Sequence, residues 1–107
     1  MVTISITRDH GRIAAVNARG HALTGQSGSD IVCAAVSAVL QTALIGLTDY
    51  AELKVGSEMS DGFMHVVLPR EMSETQSQKA ETILETMLKG LQSIEQGNKR
   101  AVRVREV

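Results

Sequence analysis

From Ile31 to Thr48 the chain runs for eighteen residues without a charged side chain, bounded by Asp30 and Asp49. That length is the lower limit for a helix that spans a membrane; otherwise such a helix must be covered by other apolar surface. Ser37, Gln41, Thr42 and Gly46 interrupt the run, and no Lys or Arg adjoins either end to orient it in a bilayer. The simpler reading is a core helix, buried on most sides in a soluble domain, starting after Asp30 and ending near Leu47. No membrane partner is expected.

Strands are available to cover it. Val2 to Thr7 alternates apolar and polar residues, nearly all β-branched, the pattern of a half-buried strand. Asp9-His10-Gly11 reads as a turn, and Ile13 to Arg19 as the return strand of a hairpin that leads directly into Gly20-His21. Beyond the uncharged helix, Tyr50–Val55 is expected as a third strand and Gly62–Leu68 as a fourth, with Gly56–Asp61 between them as a turn and Pro69 closing the fourth. Ser73-Glu74-Thr75-Gln76 matches a capping box. After it, Ala80, Ile83, Leu84, Met87, Leu91 and Ile94 recur at helical spacing as far as Gly97. Ala101–Val107 alternates again and predicts a last strand, Val102 and Val104 on one face, Arg103 and Arg105 on the other.

The order is therefore β-β-α-β-β-α-β. It predicts an α+β fold: a single two-layer domain over residues 1–107, with a mostly antiparallel five-stranded sheet covered by two helices. A chain of 107 residues with 43% hydrophobic and 21% charged side chains has the size and composition for one such core. Ala34, Ala35 and Ala38 are read as small residues that let the first helix approach the sheet. Glu81, Glu85 and Lys89 are read as i, i+4 pairing on the solvent face of the second.

Eleven basic against twelve acidic residues give a net charge of −1, so no overall field draws the chain to nucleic acid, and no direct nucleic-acid partner is expected. The single cysteine cannot form an intramolecular disulfide. Arg8, Asp9 and His10 stand where a signal peptide would need apolar residues, which makes a reducing, cytoplasmic setting the expectation.

The chemistry is concentrated between two elements. Gly20-His21 ends the second strand, Thr24–Asp30 has the small polar composition of a loop, and Cys33 follows just inside the helix. With Asp30 as N-cap, Cys33 falls at the third helical position. There unpaired amides and the helix dipole favour a thiolate, while the Asp30 carboxylate partly opposes it. An imidazole at His21 could take the thiol proton and later protonate a leaving amine, and amides near Cys33 could bind a developing oxyanion. Gly25 and Gly28 would let the loop open for a peptide and close over it. Ser37, one turn after Cys33, would line the site or bond back to the helix.

Gly20-His21-Ala22 followed by Gly28-Ser29-Asp30-Ile31-Val32-Cys33-Ala34-Ala35-Val36-Ser37-Ala38-Val39-Leu40 resembles, in order and spacing, the signature of the ribosomal-processing cysteine proteases of bacteria, the Prp family. The resemblance implies an endopeptidase that removes an N-terminal extension from a large-subunit ribosomal protein. Its dyad would carry over onto His21 and Cys33, with an acyl-enzyme that water activated by His21 then hydrolyses. Gly20, Gly25, Gly28, Asp30 and Ser37 would shape the site, Asp30 as helix cap or as orienting partner of His21. No metal or organic cofactor is implied, and a homodimer is typical.

Competing chemistries fit less well. His10, His21, His65 and Cys33 include no close ligand pair for a metal. Gly25-Gln26-Ser27-Gly28-Ser29 lacks the lysine of a phosphate-binding loop, and Asp30 would repel the anion. The remaining alternative is a ribosome-associated binding module of the same fold that cleaves nothing. Lys99, Arg100, Arg103 and Arg105 make a local basic cluster for it, although Tyr50 and Phe63 alone offer little aromatic surface for stacking bases.

Overall fold

The computed structural model describes residues 1–20 and 27–107, and side-chain environments in the second segment from Ile31 onward. Its elements are β1 (Val2–Asp9), β2 (Arg12–Arg19), α1 (Ser27–Ile45), β3 (Gly56–Ser60), β4 (Phe63–Val67), α2 (Glu74–Gly97) and β5 (Val102–Glu106). The five strands form one sheet in the order β3-β4-β2-β1-β5. Every neighbouring pair is antiparallel except β1 with β5, so the sheet is mixed and mostly antiparallel.

The first hairpin turns on His10 and Gly11, both at positive φ (52° and 83°), between the paired residues Asp9 and Arg12. Two successive left-handed residues match the right-handed twist of the strands they join. The second hairpin turns on Asp61-Gly62, between Ser60 and Phe63, with Gly62 at φ 74°.

That turn corrects the expected third strand. Residues 51–55 are not a strand, and the third strand is Gly56–Ser60, where a turn was expected. Once Asp61-Gly62 forms the two-residue loop, the residues paired with β4 must be those immediately before it. The preceding segment does other work: α1 continues into a π-helical turn, Gly46–Tyr50, and Leu53 N–H donates to the carbonyl of Leu47 at 3.0 Å. Ala51 and Leu53 thereby enter the core.

By register, β3 runs parallel to β2 and β5 parallel to β4, so each helix is a crossover between parallel strands, and both lie on one face of the sheet. Ile4, Ile6, Val16, Ala18, Met64 and Val66 point to that face. The helices answer with Val36, Leu40, Ala43 and Leu47 from the first, and Ala80, Leu84, Met87, Leu88 and Leu91 from the second. Ser73 caps α2 with the reciprocal bonds of a capping box, Gln76 N–H to Ser73 Oγ and Ser73 N–H to Gln76 Oε1.

The first helix is less buried than its composition led one to expect. By length and hydropathy Ile31–Tyr50 would suffice to cross a membrane, yet one stripe of it is seated in this core while Ile31 and Ile45 are exposed. Ala34 and Ala38 are exposed as well, because they fall on the side of the helix away from the 36-40-43-47 stripe. Close approach to α2 comes instead at Gly46, where a Cβ would stand 3.2 Å from Ile83 Cδ1.

The acidic face of α2 is also paired differently. Glu85 binds Arg8 at 2.6 Å and Glu81 binds Arg12 at 2.9 Å, so both carboxylates reach the first hairpin, while Lys89 adds a weaker coulombic attraction to Glu85. Arg8 also bonds Glu106, tying β1 to the last strand. These hydrogen bonds hold the Glu85 carboxyl below its ordinary range.

Candidate active site

Cys33 lies three residues before Val36 on α1, beside the buried stripe, half-buried against the core with a free thiol. A groove of about 240 Å³ opens next to it. Cys33, Ser37 and Gln41 line it from α1, Met59 and Phe63 from the second hairpin, and Gly20 from the end of β2. Ser37 lines the same groove as Cys33, and its oxygen accepts a hydrogen bond from Gln41 Nε2 at 2.6 Å.

Gly20 is held from two sides. Its N–H donates to the Gly62 carbonyl at 2.9 Å, its φ is 96°, and a Cβ would lie 2.3 Å from the Met1 carbonyl oxygen. Only glycine combines that φ with that approach. The residue before His21 is thus fixed on the wall of the groove that Cys33 lines. His21 and Gly25 themselves lie outside the described residues, as do the side-chain surroundings of Gly28 and Asp30.

The helix start revises two expectations. α1 begins at Ser27, so Asp30 lies within its first turn and is not the N-cap. Cys33 is then the seventh helical residue, not the third. Among the described residues the amides without a helical partner are those of Ser27 to Ser29, and the amide of Cys33 is engaged inside the helix. The Ser-Gly-Ser-Asp composition that resembled a loop is equally that of a helix's first turn, where polar residues accompany free N–H groups.

Among the described residues no cluster of three or more His, Cys, Asp or Glu could hold a metal ion. His10 is at the tip of the first hairpin and His65 on the uncovered face of the sheet, stacked with Phe63.

The hairpin wall of the groove was not anticipated. Sequence pattern alone divides its residues, Met59 to Phe63, between a turn and a strand start, and the signal that locates the hairpin is the Asp61-Gly62 dipeptide.

Comparison with known proteins bears on this arrangement. Residues 1–103 match the family model described as cysteine protease Prp. The ribosomal processing cysteine protease Prp of Staphylococcus aureus is 39% identical over 100 residues, covering 90% of each chain, and that of Bacillus subtilis 31% identical over 109 residues, covering 97% of this chain and 96% of its own. Among solved structures, the S. aureus protease in complex with a substrate peptide superposes with a TM-score of 0.85 at 32% identity, covering all of both chains. The same protease with a covalently linked product peptide gives 0.84 at 33%, also over all of both chains. A Streptococcus mutans protein gives 0.89 at 27%, over all of this chain and 94% of its own.

Proposed function

Because this chain belongs to the cysteine protease Prp family, we propose that Cys33 is its nucleophile, that His21 is the base, and that its substrate is the N-terminal extension of a large-subunit ribosomal protein. Membership already sets aside the non-catalytic binding module. One observation carries the assignment of the nucleophile: the chain has a single cysteine, and that cysteine lines a groove together with the residue preceding His21.

The groove suits an extended peptide. It is open to solvent and bounded by a helix and a hairpin. In the proposed reaction the thiol proton moves to His21 and Sγ bonds to the scissile carbonyl carbon. The C–N bond then breaks as His21 returns the proton to the leaving amine, and the trimmed protein departs. Water, deprotonated by His21, attacks the thioester and frees the extension as a carboxylic acid. The covalently linked product peptide in the S. aureus relative supports a covalent path.

Two accompanying features belong to the same proposal. A reduced, cytoplasmic setting suits a protease with one free thiol. A homodimer is supported by an apolar groove of about 650 Å³ between α1 and α2, lined by Val39, Tyr50 and Ile83, beside the exposed Ile45.

The test is mass spectrometry of a ribosomal protein bearing its extension, after incubation with the wild type or with Cys33→Ala. One new cut near the N-terminus with the wild type and none with the variant is expected. Equal cutting by both would overturn the assignment of Cys33, and no cutting by folded, reduced wild type would overturn the substrate.

A further inference from the structure

Both helices cover one face of the sheet, and among the described residues no helix or strand lies on the other. Register places its residues in rows. One row runs Ser60, Phe63, Arg19, Thr3, Arg103, and the next Glu58, His65, Asn17, Ser5, Arg105. Three guanidinium groups therefore stand on one surface. All three are exposed, and none forms a salt bridge to a carboxylate of the described residues.

The opposing charges are elsewhere. Glu81 and Glu85 of the helical layer are held by Arg12 and Arg8, and the carboxylate belonging to these two rows is Glu58 on the edge strand β3. A net charge of −1 thus averages over a basic sheet face and an acidic helix. The chain-wide total had pointed away from nucleic acid; the distribution points toward it.

Three further features make this face more than a solubilising one. Arg19 and Arg105 border a cavity of about 330 Å³ whose floor is Thr3, Ser5 and Asn17, a ring of hydroxyl and amide groups. Asn17 Oδ1 and His65 Nδ1, on paired residues, are both shielded from solvent without a hydrogen-bond partner. Phe63 and His65 stack with centroids 6.4 Å apart and planes 21° from parallel, and the Arg19 guanidinium lies 4.9 Å from the Phe63 centroid. Guanidinium groups beside an aromatic and imidazole platform, over a polar floor, match phosphates, bases and ribose hydroxyls together. An acidic peptide would use only the charge.

We infer that the uncovered face of the sheet binds single-stranded RNA, with Arg19, Arg103 and Arg105 on phosphates, Phe63 and His65 under bases, and Thr3, Ser5 and Asn17 toward ribose. The face meets the Cys33 groove at Phe63, which borders both, whereas Arg103 and Arg105 lie outside that groove.

The experiment is fluorescence anisotropy of the full chain with a labelled single-stranded RNA of about 12 nucleotides. Three phosphate contacts at about 0.7 each give a log–log salt slope of about −2, a loss of roughly 20-fold between about 50 and 200 mM salt. R103A/R105A should lower affinity at least about tenfold and flatten the slope to about −0.7, with an unchanged circular dichroism spectrum and rate of peptide cleavage. DNA of the same sequence and polyglutamate should both bind more weakly. Absence of saturable RNA binding, equal affinity of the double variant, or equal binding of DNA or polyglutamate would each overturn the inference. As a second readout, RNA should shift NMR signals of Ser5, Asn17, Arg19, His65 and Arg105; shifts confined to α1 and α2 would overturn it.

Discussion

Gly20 sits so close to Met1 that the carbonyl oxygen of the first residue occupies the space where a side chain at position 20 would begin, 2.3 Å from an ideal Cβ. Its φ of 96° independently disfavours any other residue. Gly20→Ala should therefore cost about 1–3 kcal/mol from the backbone alone, and more from the contact. Because the next residue is His21, peptidase turnover should fall further than the folded fraction does. Chemical denaturation together with kcat, measured well below the melting temperature, separates the two effects; an alanine variant of wild-type stability and kcat would contradict this account.

The connection after α1 tests the core. Leu53 is 5% exposed although it lies in neither helix nor strand. Leu53→Ala should destabilise the protein by about 2–4 kcal/mol, as for a leucine in a regular core element. Urea denaturation with an unchanged slope and a lowered midpoint is the expected result.

Acid should loosen the tie between the first hairpin and α2. Hydrogen bonding to Arg8 lowers the Glu85 carboxyl, so its contribution to stability is complete above the unfolded glutamate value of about 4.3 and is lost as pH falls through the lower folded value. Glu85→Gln should reduce stability at neutral pH and leave it nearly unchanged in strong acid, where the wild type has lost the same interaction. Thermal melts at neutral pH and near pH 2 check the sign.

Much of this fold could be read from local pattern. The β1 alternation, the capping box at Ser73 and the stripe from Ala80 to Leu91 each carry their own structural signal, and each element stands where that signal puts it. The third strand did not, because β3 is exposed along its whole length and so has no apolar period to display. Leu53 supplied a misleading one: a buried residue in an irregular segment looks like half a strand. The start of α1 was hidden for a different reason, since Ser27 to Asp30 serves equally as loop or first turn. Cys33 and Ser37 could be paired by helical spacing, whereas the hairpin wall opposite them depends on a contact between distant segments. The segregation of charge between sheet and helix was likewise invisible to a net total.

The proposed role of Cys33 as nucleophile requires a covalent intermediate on its sulfur, and trapping that species tests it most directly. Wild-type protein mixed with a peptide spanning the extension and cleavage site, quenched in acid within the first turnover, should yield by mass spectrometry a peptide containing Cys33 with its mass raised by the acyl portion of the extension. The adduct should vanish on hydroxylamine treatment, as a thioester does, and should form more slowly in His21→Ala. Cleavage that proceeds at full rate with Cys33 unmodified throughout, or unimpaired in Cys33→Ala, would contradict it.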